Sequence, residues 1–211
     1  MMNKRSFLGN DPVFLQADRF SLELMDEKFK TVFLESMEPK SKNPVQDRQI
    51  RETVWDMLNG ENCITFSILS PQHKQYMGYC QYKNIRLPRP DIGIVLMPEY
   101  RGQGLGYDVC RELITRFFDK TSHPSIDYRV ERQNTVSIKL IEKLGGKRDS
   151  TYHTHEQLLS SLNSMTQKEI AEFGKDPTPL IKSLIEHDET LKREVLPTDI
   201  FIYRIARTNW N

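Results

Sequence analysis

Between Arg101 and Gly106 the chain reads Arg101-Gly102-Gln103-Gly104-Leu105-Gly106, three glycines at alternate positions directly ahead of an amphipathic run. Glycine takes positive φ at little cost and lets a ligand approach the backbone closely. Successive N–H groups can therefore converge on one anion, and a helix N-terminus reinforces them. The chemistry implied is a phosphate or pyrophosphate cradle; the alternative is a plain tight turn between a strand and a helix. Spacing excludes two nucleotide motifs. A P-loop needs GxxxxGK[ST], and no Lys-Ser or Lys-Thr follows these glycines. The dinucleotide fingerprint needs GxGxxG in a parallel βαβ unit, and here the third glycine comes one residue early.

The elements that must position this turn follow from periodicity. Upstream, CITFSIL (63–69), QYMGYCQYK (75–83) and DIGIVLM (91–97) are rich in Ile, Val, Phe and Tyr. Pro-containing turns separate them, which predicts three consecutive antiparallel strands. Downstream, Val109, Leu113, Ile114 and Phe117 form a helical stripe, so a strand feeds the turn and the turn opens a helix. A second such unit follows. IDYRVE (126–131) is a strand, and NTVSIKLIEKLGG (134–146) a helix with Val136, Leu140, Ile141 and Leu144 inward and Gly145-Gly146 as its stop.

In the first third, Phe29, Val32, Phe33 and Met37 form a stripe behind Asp26 as N-cap. Ile50, Val54 and Leu58 form another, from Pro44 at the first helical position to Asn59-Gly60. Leu158, Leu159, Leu162 and Met165, then Leu180, Leu184, Ile185 and Leu191, predict a two-helix insert over about 152–195, broken at DPTP (176–179). The last strand, DIFIYRIA (199–206), sets Ile200, Ile202 and Arg204 against Phe201, Tyr203 and Ile205. The expected fold is mixed α/β: a mainly antiparallel central sheet flanked by helices, one domain over 1–211 with the helical insert before its last strand.

Composition removes other classes. The 211 residues carry 30 Lys+Arg against 29 Asp+Glu, a net charge of +1, too little surplus for a generic nucleic-acid binder. The cationic part is the middle, where 61–149 carries a surplus of four positive charges, while 150–195 carries three more acids than bases. Neither an apolar leader core nor a run of 18 apolar residues occurs, so no membrane partner is expected. Cys63, Cys80 and Cys110 are too far apart for a disulfide framework or zinc site, and His153 and His155 lack a third ligand. A reduced, cytoplasmic, metal-free chain is the expectation.

Arg101, Gly104 and Gly106 match R/Q-x-x-G-x-G/A, following the strand end MPEY (97–100), and Asn134 opens a helix that ends in Leu144-Gly145 about 30 residues later. With these two motifs in this order, the chain resembles the GNAT acyltransferase superfamily, firmly over 60–150 and in outline throughout. It looks most similar to the branch that acetylates the N-termini of ribosomal proteins, with its diamine- and antibiotic-modifying relatives; part of that branch shares the N-x-x-S start, here Asn134 to Ser137. The resemblance implies acetyl-CoA as co-substrate and a GNAT-like fold whose central strands separate at the thioester. It implies pairing of the Ile94, Val95 and Leu96 backbone with the pantetheine arm. The signature Arg101 and the N–H groups from Gly102 through Gln103, Gly104, Leu105 and Gly106 to Tyr107 would hold the pyrophosphate, and Asn134 would meet the cofactor beyond the sulfur.

Amine attack on a thioester needs a neutral nucleophile, a stabilised oxyanion and a proton for the departing thiolate. Many relatives use a Glu on the strand before the Asn and a Tyr in the helix after it; the matching positions here are Arg129 and Ile141. Ser137 matches a serine that some relatives use near the CoA sulfur, which makes it the candidate proton donor; the alternative is a helix cap. Glu131, two residues along the strand from Arg129, is the candidate base, directly or through a water; the alternative is a surface ion pair with Arg129 or Arg132. An α-amine with a pKa near ~8 is about one-tenth neutral at pH 7, and a lysine near ~10.4 far less, so a site without an obvious base leans toward an α-amine.

The leading expectation is an N-acetyltransferase that moves an acetyl group to a primary amine by direct attack in a ternary complex, the acceptor being a small molecule or a protein N-terminus. A polyamine or aminoglycoside acetyltransferase is the alternative suggested by the acidic insert. A non-catalytic acyl-CoA-binding module is the alternative suggested by the missing Glu and Tyr. The insert is expected to form a flap on the acceptor side or a homodimer contact.

Overall fold

The computed structural model describes residues 7–8, 13–37, 42–72, 74–152 and 200–210. Eight strands form one sheet in the order β1-β2-β3-β4-β5-β6-β8-β7. They are β1 (Val13–Gln16), β2 (Ser21–Leu24), β3 (Cys63–Leu69), β4 (Tyr76–Lys83), β5 (Asp91–Leu96), β6 (Ser125–Glu131), β7 (Lys147–Tyr152) and β8 (Ile200–Ala206). Every neighbouring pair is antiparallel except β5 with β6. The mixed sheet is the expected one. The four-residue strands β1 and β2 carry no clear sequence signal, because runs so short show little alternation.

Helices α1 (Lys30–Ser36), α2 (Pro44–Asn59), α3 (Leu105–Lys120) and α4 (Thr135–Lys143) pack on the two faces. Asp26 accepts a hydrogen bond from the Lys28 N–H and caps a short 3₁₀ turn, Glu27–Phe29, which runs into α1. Asn43 caps α2, accepting from the N–H groups of Val45 and Gln46, with Pro44 at its start and Gly60 at its end. Gly145, at φ +81°, stops α4.

The alternation of the strands sorts the core into two layers. On one face Ile64, Phe66, Ile68, Cys80, Tyr82 and Ile92 meet the α3 stripe Val109, Leu113, Ile114 and Phe117, all essentially inaccessible. Each such Phe or Ile contributes about 1.5–3 kcal/mol by leaving water. The Tyr82 hydroxyl donates to the Leu113 carbonyl at 2.7 Å and so remains satisfied there. On the other face Phe33, Trp55 and Leu58 cover Leu69, Tyr76 and Tyr79. Trp55, rather than Ile50, anchors α2. In α4 the inward residues are Ile141 and Leu144, whereas Val136, expected to face the core, is 77% exposed in the first turn. Of the predicted helical insert at about 152–195, only Tyr152, the last residue of β7, lies among the described residues. His153, His155 and the DPTP segment lie outside them.

β4 carries a bulge. Ile68 pairs with Gly78 and Leu69 with Tyr76, leaving Met77 as the extra residue. Gly78 has φ +139°, and a Cβ there would sit 2.1 Å from the Val95 carbonyl oxygen of β5. Gly78→Ala is therefore expected to cost about 2–4 kcal/mol, from both the overlap and a backbone conformation that suits glycine alone. The shift of the urea unfolding midpoint measures this.

Candidate active site

β5 pairs with β4 along its whole length, from Asp91 opposite Lys83 to Leu96 opposite Gly78. Its parallel pairing with β6 stops after two rungs, Asp91 with Asp127 and Ile92 with Tyr128. From Gly93 onward the strands part, and the edge of Ile94, Val95 and Leu96 that faces the opening makes no ladder to β6. Val95 is 45% exposed there. An extended chain laid along this edge finds backbone donors and acceptors at strand spacing.

The edge leads directly to the glycine turn. Gly102 and Gly104 take φ +73° and +80°, the conformation that only glycine adopts readily. Gly104 is the N-terminal cap of α3 and uses no side chain for that purpose. The N–H groups of Gly102, Gln103, Gly104, Leu105 and Gly106 donate to no acceptor among the described residues, whereas Tyr107 N–H is taken by the Gly104 carbonyl at 3.0 Å. The cradle thus offers five unengaged donors, and Tyr107, expected to be a sixth, closes the first turn of the helix instead. Its ring lies under the Lys143 ammonium, 4.6 Å away. A Cβ on Gly106 would meet Leu140 of α4 at 3.1 Å, so this glycine lets the two helices close against each other.

Side chains brace the turn. Arg101 Nε donates to the Leu96 carbonyl at 2.8 Å, tying the turn back to the end of β5, and Gln103 Nε2 donates to the Glu99 carbonyl at 2.7 Å. Arg19, from the β1–β2 connection, bonds the Gln103 carbonyl at 2.8 Å and pairs with Asp108 at 2.6 Å. This brings a guanidinium beside the cradle, with its Nη1 3.7 Å from where a Gly104 Cβ would stand. No local sequence signal marks Arg19, since 84 residues separate it from Gln103.

Beyond the opening, Asn134 caps α4: its Oδ1 accepts the Ser137 N–H at 3.0 Å. The cap is therefore Asn134, and the Ser137 hydroxyl is free of that duty. It lies near the Tyr128 phenol, which stands at the last shared rung of β5 and β6. Burial pushes the Tyr128 pKa up to about 12, so the phenol keeps its proton at neutral pH. A tyrosine thus comes close to the start of α4 from the strand, which the alternation of IDYRVE does not reveal.

Glu131 does not join Ser137. It lies on the opposite face of β6, exposed, at the rung shared with Ile200. Arg129, on the same face, turns to Asp91 at 3.3 Å. Asp91 is fully buried and also meets Lys83 Nζ at 2.8 Å and Asn84 Nδ2 at 2.6 Å. Of the two ion pairs offered as the alternative for Glu131, with Arg129 or Arg132, Arg129 is engaged with Asp91 instead. No group of three or more His, Cys, Asp or Glu side chains able to hold a metal occurs among the described residues. No helix among them is long and apolar enough to cross a membrane.

Comparison with known proteins agrees with this geometry. A spermidine N-acetyltransferase from Vibrio cholerae in complex with CoA and spermine superposes with a TM-score of 0.59 at 11% identity, covering 92% of this chain and 99% of that one. A spermidine/spermine N-acetyltransferase from the same organism with manganese ions gives 0.58 at 11%, covering 91% and 95%. A domain from Methanocaldococcus jannaschii gives 0.57 at 14%, covering 90% and 99%. No curated protein matches the chain. The sequence model for the acetyltransferase (GNAT) domain matches residues 16–147, which contain both the cradle and the parted strands, and the chain belongs to that family of acyltransferases.

Proposed function

We propose that the chain moves an acetyl group from acetyl-CoA to a primary amine by direct attack within a ternary complex. The observation that carries this reading is the join between a free strand edge, Ile94–Leu96, and a cradle of five unengaged N–H groups at the start of α3. A linear thioester with a pyrophosphate at its far end has that shape. In this reading the cradle from Gly102 to Gly106 holds the pyrophosphate, braced by Arg101. Asn134, whose side-chain nitrogen is left over after capping, meets the cofactor beyond the sulfur. CoA supplies an activated acyl group.

The remaining work falls to two faces of β6. Ser137 Oγ–H gives a proton to the departing sulfur and is re-supplied from the Tyr128 hydroxyl beside it. On the other face the amine nitrogen bonds to the carbonyl carbon and loses its proton to Glu131 through water. The proton lost at nitrogen balances the one gained at sulfur. A protein N-terminal α-amine, as in the ribosomal-protein branch, is supported by the Asn134-x-x-Ser137 start. A polyamine is the second reading, favoured by the spermine-bound structural neighbour.

Two variants test the assignment. Gly104→Asp sets a side chain and a charge in the cradle at a positive φ, and acetyl-CoA affinity in calorimetric titration should fall at least tenfold, about 1.4 kcal/mol. Unchanged affinity in a folded variant rejects the cradle. Ser137→Ala should lower kcat by about tenfold or more, with a smaller change in KM for acetyl-CoA, because the proton transfer occurs in the transition state. Its thermal midpoint should stay near wild type, since Asn134 is the cap; turnover intact in this variant makes the serine structural.

A further inference from the structure

Arg19 is remote in sequence from both signature motifs, yet it holds the glycine turn and the helix that the turn opens. Its Nη2 donates to the Gln103 carbonyl at 2.8 Å and its Nη1 to Asp108 Oδ2 at 2.6 Å. The backbone behind it is anchored. The Ala17 N–H donates to the Phe20 carbonyl at 2.9 Å, so the chain turns from β1 to β2 within Asp18 and Arg19, and Phe20 beside the tip is buried in the main core. The guanidinium itself is half-exposed, and an exposed ion pair adds little to the stability of a fold. What it fixes is local.

The peptide it holds is part of the cradle. The Gln103 carbonyl and the Gly104 N–H belong to one trans peptide, so they point to opposite sides of it. Gly104 has φ +80°, and glycine takes negative φ about as readily. A flip of this one plane, taken up by ψ of Gln103 and φ of Gly104, would turn the N–H out of the cradle and a carbonyl oxygen into it, against any anion. A glycine turn that admits a diphosphate is for the same reason free to flip, and a contact from outside must choose its orientation. The Arg101 and Gln103 side chains hold the Leu96 and Glu99 carbonyls, which precede the glycines. The Gln103 carbonyl is held by Arg19. Asp108 closes the clamp: its carboxylate takes the guanidinium, and its N–H donates to the Gly104 carbonyl at 3.2 Å.

Resting on the acetyl-CoA reading above, we propose that Arg19 is a positioning residue for the diphosphate site: anchored by Asp108, it holds the Gln103–Gly104 peptide with its N–H toward the anion. Arg19→Met keeps an apolar stem and removes the donors. Its dissociation constant for acetyl-CoA in calorimetric titration should rise about tenfold, as the fraction of chains with a competent cradle falls, while the thermal midpoint without ligand stays near wild type. Asp108→Ala decides the mechanism by its sign. It removes a negative charge beside the cradle, which through charge alone tightens anion binding; the clamp predicts binding weaker by about threefold, because the guanidinium loses its anchor. The double variant should bind no more weakly than Arg19→Met, since both substitutions break one clamp.

The outcomes separate the claims. Unchanged affinity in Arg19→Met, or tighter binding in Asp108→Ala, overturns the clamp. So does a thermal midpoint lowered by several degrees in Arg19→Met together with losses that add in the double variant, because the pair then serves the fold and not the cradle. Gly104→Asp distinguishes this from the reading beneath it: if that variant loses affinity and Arg19→Met does not, the clamp alone fails, and if neither loses affinity, the cradle fails with it.

Discussion

A single strand with two unequal partners governs this structure. β5 is paired with β4 through Leu96 but with β6 only through Ile92, so four residues of a central strand present one edge to solvent. Unpaired backbone in the middle of a sheet is costly unless water or a ligand satisfies it, and the chain keeps it open by packing on the strand's other contacts. The bulge at Met77 and the absence of a side chain on Gly78 let β4 follow β5 closely just where β6 leaves it. Arg101 then fixes the end of β5 to the turn through the Leu96 carbonyl. The cradle is thereby held at a set distance from the opening, which is the requirement for gripping a long ligand at both ends.

Because the opening passes through the sheet, it has two chemically different sides. The side under α3 and α4 presents Tyr128 and Ser137, two hydroxyls with protons to give, next to an apolar core in which the thiols of Cys80 and Cys110 are pushed up by burial and stay neutral. The side under α1 and α2 presents Gln81, Lys83, Arg129 and Glu131. In the proposed reaction, proton donation and proton removal are separated by the thickness of a sheet, so neither group quenches the other. The alternation of one strand, Tyr128 against Arg129, produces this separation.

Much of the frame is legible in the sequence because its signals are local. The glycine turn, the three strands before it and the stripe of α3 each lie within a window of twenty residues or fewer, and the structure places each where periodicity puts it; the cap of α4 is Asn134 and not Ser137. The resemblance added what no window contains, the parting of β5 and β6. What escaped was long-range. Arg19 reaches the cradle and Asp91 captures Arg129, each across dozens of residues. Val136 departs from the expectation for a local reason: it continues the spacing of the α4 stripe but falls in the first turn, where it is exposed.

The central claim is that the opening and the cradle together make an acetyl donor available to an amine. It is tested most directly by following thiol release from acetyl-CoA, with the wild-type chain alone and after addition of primary amines. The account predicts release at background without amine and a saturable rise when an acceptor is added, with one thiol formed for each amide. A chain that binds acetyl-CoA yet releases no thiol above background with α-amines, polyamines or aminoglycosides would contradict it.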